Sequence, residues 1–219
     1  MPRCLDLFSG SGSIAKAFRA AGWEVVTLDA DVGCNADIRC DILQWDCPYP
    51  AGYFDHVHAS PPCTEFSRAL TTRPRDLVAG LRVAERALDL IEQLKPNTWT
   101  LENPGSGLLP QQERFAALPC RLVTYCKYEG FMYKKLSWYA NNLGEHWAPP
   151  EPCCKLSPCG KQVGRRHPLS AQRGTKRDKD GVTMTGGRCS QLQLFSIPAA
   201  LCDEIARAAT KALEPSQNS

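Results

Sequence analysis

The chain has 219 residues, of which 43% are hydrophobic, enough for one domain with a core and a small appendage. No apolar run approaches the 18 residues of a membrane span, and the opening MPRCLDLF lacks the charged, apolar and small-residue regions of a secretory signal. An intracellular protein (cytoplasm or nucleoid) is therefore expected, with no membrane partner. The net charge is only +3, but it is unevenly spread. Residues 155–188 hold nine Lys/Arg and two acids, a surplus of seven, which leaves −4 for the rest of the chain. A basic segment beside an acidic remainder points to a polyanionic partner, with a solvated loop as the plainer alternative. Twelve cysteines without a secretion signal suggest reduced thiols, a metal site or a catalytic thiol, not a disulfide framework. Cys4, Cys34, Cys40, Cys120 and Cys202 sit singly in apolar surroundings and are expected as small core residues.

In chain order, residues 4–8 (CLDLF) predict a buried strand running into the glycine loop SGSGS at 9–13. Ile14, Ala17, Phe18 and Ala21 recur at helical spacing, and Gly22 ends that helix. A second strand over 24–28 (EVVTL) ends in Asp29, and residues 36–43 carry another acidic turn. Residues 53–59 predict a strand that stops at Ser60-Pro61-Pro62-Cys63. Leu77, Leu81, Ala84, Leu88 and Ile91 mark one face of a helix closed by Pro96. Residues 98–101 (TWTL) form a strand delivering Glu102-Asn103-Pro104. Two strands over 121–128 and 133–140 are joined at Glu129-Gly130. Residues 148–191 read as a loop-rich basic insertion, a last strand-like stretch starts at Gln191, and Pro198 opens a final helix. Strands alternating with helices predict an α/β fold with a mostly parallel sheet flanked by helices. In such sheets ligands bind outside the carboxyl ends of the strands, where each motif here falls.

The glycine loop lets a ligand approach the backbone closely, and the helix start behind it offers unpaired N–H groups. Asp29 stands 17 residues after Gly12, where an acid can accept hydrogen bonds from ribose hydroxyls. Asp31 competes for that role or is a turn residue. Cys63 follows two prolines, so its backbone is rigid and its thiol oriented; a buried structural cysteine is the alternative. Glu102 at a sheet edge suits an acid or hydrogen-bond partner; a turn or cap residue is the alternative.

Taken together and in this order, FxGxG, an acid after the second strand, Pro62-Cys63 and Glu102-Asn103 resemble the cytosine-C5 DNA methyltransferase family over roughly residues 3–141 plus the last helix. The resemblance implies a Rossmann-like S-adenosylmethionine-dependent methyltransferase fold, with S-adenosylmethionine as cofactor and a flipped or single-stranded cytosine in DNA as substrate. It implies Cys63 as nucleophile and Glu102 as the catalytic carboxyl. It also implies Phe8, Ser9, Gly10, Gly12, Asp29, Asp41 and Pro61 around the cofactor, with Asp29 at the ribose and Asp41 at the adenine amino group. The chemistry needs these types. Thiolate attack on carbon 6 makes carbon 5 nucleophilic, and a carboxylic acid at N3 assists as electrons enter the ring. The thiol then needs a lowered pKa, or deprotonation coupled to attack.

The chain departs from the family at Pro104, where valine is usual, and at Lys134-Lys135-Leu136-Ser137, which stands in place of a QxRxR strand. It is also short. The organisation expected is a catalytic domain over 1–147, a Cys-rich basic insertion over 148–191 as a reduced target-recognition element, and a strand and helix over 192–219 returning to the catalytic domain. A partner protein supplying specificity is the alternative source of recognition. Within the insertion, Cys153, Cys154, Cys159, His167 and Cys189 could bind a structural zinc ion, although the spacing is looser than paired CxxC. Competing functions are RNA cytosine-C5 methylation, a catalytically inactive nucleic-acid-binding homologue, or methylation of another acceptor. A binding module needs neither Cys63 nor Glu102, and amine methylation would use an Asp/Asn-Pro-Pro-aromatic loop in place of Ser60-Pro61-Pro62-Cys63.

Overall fold

The structure is a computed structural model that describes residues 1–162, 167–170, 187–188 and 195–214. Strands β1 (Arg3–Leu7), β2 (Glu24–Asp29), β3 (Ile38–Arg39), β4 (His56–Ala59), β5 (Thr98–Pro104), β6 (Cys120–Thr124) and β7 (Leu136–Asn141) form one sheet in the order β3-β2-β1-β4-β5-β7-β6. The pairs among β1 to β5 are parallel, whereas β7 runs antiparallel to both β5 and β6. The expected parallel sheet thus carries an antiparallel edge. The α-helices among the described residues are α1 (Ser13–Ala20), α2 (Leu77–Leu94), the short α3 (Glu113–Ala116) and α4 (Ala199–Ala212). Leu169–Ser170 and Gly187–Arg188 pair as a separate two-stranded parallel ribbon.

Strand alternation sorts side chains to the two faces. Leu5, Leu7, Val57 and Leu101 pack with Ala84, Leu88 and Ile91 of α2. On the opposite face Cys4, Val25 and Val123 pack with Phe18 of α1 and with Leu201 and Ile205 of α4. Helix α2 starts at Asp76, whose Oδ1 accepts from the Ala79 N–H at 2.9 Å, and stops at Lys95 in the left-handed region before Pro96. Pro198 stands at the cap of α4, one place before the first turn where the sequence reading set it.

Several expectations shift. β5 continues through Pro104, so Glu102 and Asn103 lie inside a strand, opposite Tyr139 and Trp138 of β7, and not in a turn beyond it. The β7 pairing supplies the order that a parallel edge alone would lack. The strands predicted over 121–128 and 133–140 are shorter and are separated by a stretch that includes a 3-10 turn at Tyr125–Lys127. Of the cysteines expected in the core, Cys4 and Cys202 are fully buried, Cys34 and Cys40 are half-buried, and Cys120 is exposed. Cys120 opens the edge strand β6, whose first three residues are all exposed. The strand-like stretch at Gln191, Cys189 and most of the basic residues of 155–188 lie outside the described residues. Among the described residues no helix is long and apolar enough to cross a membrane.

A polar row crosses the α1/α4 face of the sheet. His56 Nδ1 meets Thr98 Oγ1 at 2.9 Å, its Nε2 meets Thr100 Oγ1 at 3.2 Å, and Thr100 Oγ1 meets His58 Nδ1 at 2.7 Å. His58 Nε2 ends the chain on Ser60 Oγ at 2.9 Å. Burial holds the pKa of His56 well below its usual value and that of His58 at about 3. Burial raises Asp6, in the same layer, to about 7. The unfolded chain takes up protons on both imidazoles near pH 6.5, and the folded chain does not, so their stability is present above that pH and lost on acidification. Asp6 has the opposite sign, because its folded pKa is raised: its contribution is present below about pH 4 and lost as the pH rises through 7. Between about pH 4 and 6.5 the unfolded state gains two protons at the histidines against one fewer at Asp6. The net of one proton predicts a stability loss of about 1.4 kcal/mol per pH unit. Urea denaturation near pH 5 should give a lower unfolding free energy than near pH 7.5; equal or greater stability at pH 5 would contradict this balance.

Candidate active site

β1 delivers the glycine loop. Phe8 adopts φ 60, Gly10 φ 48 and Gly12 φ 71, and a turn closes with Gly12 N–H donating to Ser9 O at 2.7 Å. The left-handed region costs an ordinary L-residue about 1–2 kcal/mol, which explains glycine at two of these places. Gly12 caps α1 without a side-chain acceptor, and a Cβ there would meet nothing within 4 Å. Of the first N–H groups of α1, that of Ala15 is bonded to the Asp6 carboxyl beneath it. Asp29 lies at the end of β2, where its Oδ2 accepts from Gly10 N–H and its Oδ1 from Asp31 N–H, each at 2.8 Å. The Cys34 thiol takes a third place on this carboxylate, which offers about four acceptor positions, so one remains for a ligand. Asp31 instead closes its own turn on Gly33 at 2.8 Å. Asp41 is exposed after β3, with Oδ1 accepting from Leu43 N–H at 2.9 Å. Beneath the loop, Asp6 is buried and its Oδ2 has no hydrogen-bond partner.

The next strand end holds the thiol. β4 pairs with β1, and Ser60 N–H extends the pairing to Leu7 O at 3.2 Å. Pro61 is buried, and its carbonyl accepts from Asn103 Nδ2 at 2.9 Å. Cys63 is half-buried and opens a turn closed by Phe66 N–H on Cys63 O at 3.1 Å. Gly80 of α2 lets this turn approach: a Cβ there would stand 2.9 Å from Glu65 Cβ. Glu65 fastens the following segment through an ion pair with Arg73 and by accepting from Asp76 N–H at 2.7 Å. The Asn103 bond joins the strand carrying Glu102 to the loop carrying Cys63. Asn103→Ala should lower kcat about 10²-fold, the order expected for misplacing a reacting group by about 1 Å, with cofactor affinity unchanged. Single-turnover methyl transfer and calorimetric cofactor binding check this; unchanged kcat would remove Asn103 from any positioning role.

Glu102 is buried and accepts from Tyr125 Oη at 3.4 Å, while Tyr139 Oη lies 3.3 Å from Tyr125 Oη. Burial pushes both phenols well above their ordinary pKa, so they remain donors. Lys135 Nζ stands 3.9 Å from Glu102 Oε1 and 4.7 Å from the Tyr125 ring centroid. Four influences set Cys63: burial and the Glu102 charge push its thiol up, and the Lys135 ammonium and a backbone hydrogen bond pull it down. The net shift is upward, so of the two routes to a thiolate, proton loss coupled to attack fits this site.

The site thus gathers Cys63, Glu102 and Pro61 at the neighbouring ends of β4 and β5, with the loop of Phe8, Ser9, Gly10 and Gly12 on the adjoining β1. Asp29 joins that loop directly, while Asp41 follows β3 at the sheet edge. Lys135 is the more informative placement, because its sequence context matched the family strand poorly. Tyr125 and the His56–Thr100–His58 row that ends on Ser60 had no signal as a network in the sequence. Their alternation with apolar neighbours looks like an ordinary strand.

No family model matches the chain. A probable DNA (cytosine-5)-methyltransferase of Frog virus 3 (isolate Goorha) is 35% identical over 148 residues, which make up 61% of this chain and 67% of that protein. A crystal structure described as that of a DNA modification methyltransferase encoded within a prophage (E. coli) matches with a TM-score of 0.51 and 16% identity over 70% of this chain. The match takes in 52% of that structure, so the chain spans about half its length, and at this identity the likeness bears on the fold. The fold is Rossmann-like, and on the strength of the viral relative the chain belongs to the DNA (cytosine-5)-methyltransferase family.

Proposed function

We propose that the chain transfers a methyl group from S-adenosylmethionine to carbon 5 of cytosine in DNA, with Cys63 as nucleophile and Glu102 as the acid at N3. The observation that carries this reading is the placement of a buried carboxyl, with a lysine 3.9 Å from it, on the strand that Asn103 bonds to the loop holding the thiol. S-adenosylmethionine, when bound, supplies a methyl electrophile on its sulfonium. The residues present fit it. The loop of Phe8, Ser9, Gly10 and Gly12 leaves open backbone, Asp29 keeps acceptor capacity for the ribose, the exposed Asp41 is assigned to the adenine amino group, and Pro61 is assigned to the cofactor side of the Cys63 loop.

In the reaction, the Cys63 sulfur attacks carbon 6 as its proton passes to solvent, which reaches this half-buried thiol. The displaced electrons move toward N3, which takes a proton from Glu102. Carbon 5 is now nucleophilic and accepts the methyl group. The carbon 5 proton leaves to a base, the carbon–sulfur bond breaks to restore the ring double bond, and N3 returns its proton to Glu102. Lys135 lowers the cost of the developing thiolate and holds the Glu102 side of the pocket. The target base must leave the stack to reach Cys63.

The viral relative is named for DNA, and a basic segment at 155–188 suits phosphate contacts that position without reading sequence. We assign 1–147 to catalysis, 148–191 to nucleic-acid contact, and 192–219 to the return onto the sheet. The test is transfer of radiolabelled methyl groups to mixed-sequence DNA and, in parallel, to RNA of the same sequence, with the product base identified by mass spectrometry. 5-Methylcytosine in DNA is expected. Label in RNA alone, or on an exocyclic amine, would overturn the reading.

A further inference from the structure

We propose that the protein carries a structural zinc ion bound by Cys126, Cys153, Cys159 and His167. The ligand atoms of these four side chains all lie within 4.8 Å of one another. Cys153 Sγ is 3.8 Å and Cys159 Sγ 3.2 Å from His167 Nε2. A tetrahedral ion with Zn–S of about 2.3 Å and Zn–N of about 2.0–2.1 Å would separate its ligand atoms by about 3.5–3.8 Å. Small side-chain shifts reach that geometry. Three thiols and one imidazole are a donor set that selects zinc among common divalent ions.

The set is not the one that sequence spacing suggested. Cys154 is exposed, and its sulfur accepts from Ser157 N–H at 3.3 Å, which closes a local turn. Cys189 lies outside the described residues. Their place is taken by Cys126, 27 positions before Cys153 and outside the insertion. It sits in the turn that follows β6.

The surroundings support the sulfurs as metal ligands do in such sites, with N–H and O–H groups aimed at them. Cys159 accepts a backbone hydrogen bond from Lys161. The Gln162 amide donates to Cys153 Sγ at 3.6 Å. The Thr124 hydroxyl bonds the Cys126 sulfur and also accepts from Cys153 N–H at 2.8 Å. The two halves of the site are therefore already registered by hydrogen bonds. Lys127 Nζ adds bonds to Ser157 Oγ at 2.8 Å and Pro158 O at 3.2 Å, and Lys161 Nζ bonds Tyr128 O and, at 3.2 Å, Phe131 O. Three thiolates with one divalent ion leave one negative charge, which these lysines offset.

The consequence is architectural. The ion would fasten the start of the basic insertion to the strand end that carries Tyr125, the donor to Glu102. None of the four ligands belongs to the proposed methyl-transfer chemistry, so the site stands whether or not that reading does.

The test uses the full-length protein, purified under reducing conditions without added chelator. Elemental analysis should give about one zinc per chain, and the Cys126→Ser variant should lose it while Cys154→Ser retains it. Replacement by cobalt(II) in the parent protein should produce the intense visible bands of a tetrahedral site and thiolate-to-cobalt charge transfer. That measurement decides the matter even if Cys126→Ser does not fold. Zinc-free protein that yields no cobalt spectrum, a spectrum retained in Cys126→Ser, or a disulfide among these cysteines mapped in the native protein would overturn the proposal.

Discussion

Cys63→Ala should abolish methyl transfer while leaving cofactor binding within about twofold of the parent. The thiol is half-buried at the end of β4 and touches neither Asp29 nor the glycine loop in any hydrogen bond described above. Removing it deletes the covalent route, and direct methylation of an unactivated carbon 5 has no nucleophile to replace it. Enzymes of this type gain at least about 10⁶-fold over the uncatalysed reaction, so the residual rate should fall below detection. The fold should persist, because a half-buried Cys to Ala change removes one sulfur atom and costs about 1 kcal/mol or less. Methyl transfer under single-turnover conditions, with calorimetric binding of S-adenosylmethionine, checks both halves. Retained methylation would sink the mechanism.

Glu102→Gln should lower kcat by about 10²–10⁴-fold, the range for loss of a positioned general acid. The substitution is nearly isosteric, and its amide oxygen can still accept from Tyr125. An amide can neither give N3 a proton, as the protonated carboxyl does in the reaction, nor pair with Lys135, as the carboxylate does at 3.9 Å. The substitution also removes a negative charge that pushes the Cys63 thiol up. The variant should therefore show faster alkylation of Cys63 by iodoacetamide at neutral pH, even as methylation slows. The two readouts move in opposite directions, which a general loss of stability would not produce. Unchanged methylation in Glu102→Gln would leave Glu102 a structural residue.

Much of the fold was legible in the sequence, for identifiable reasons. Periodicity at Leu77, Leu81, Ala84, Leu88 and Ile91 located α2, and the punctuation at Gly22, Pro96 and Pro198 located element ends. Glycine at 10 and 12 marked a loop that needs positive φ. The order of strands in the sheet was not written in any local pattern. The antiparallel turn of β7 between β5 and β6 depends on where residues 125–135 can pass, and this fixes Glu102 inside a strand.

The site divides in the same way. Cys63 follows two prolines after β4, and Glu102 precedes Asn103-Pro104 within β5, so local chemistry flagged them. Lys135, Tyr125 and Asn103 act through partners 23 to 42 positions away, and no window of sequence holds those pairs. The cysteine cluster failed in part for the same cause. Spacing within the insertion suggested Cys154, but Cys126 reaches the cluster from a different element, through the fold.

The most direct measurement is to incubate the protein and S-adenosylmethionine with DNA containing 5-fluorocytosine, then map any denaturant-resistant complex by mass spectrometry. Fluorine cannot leave carbon 5 as a proton does, so the reaction should halt with the ring methylated and bonded to sulfur. The account predicts a covalent complex at Cys63 that requires the cofactor and is lost in Cys63→Ala. No adduct on DNA with cofactor bound, or an adduct at another cysteine, would contradict it.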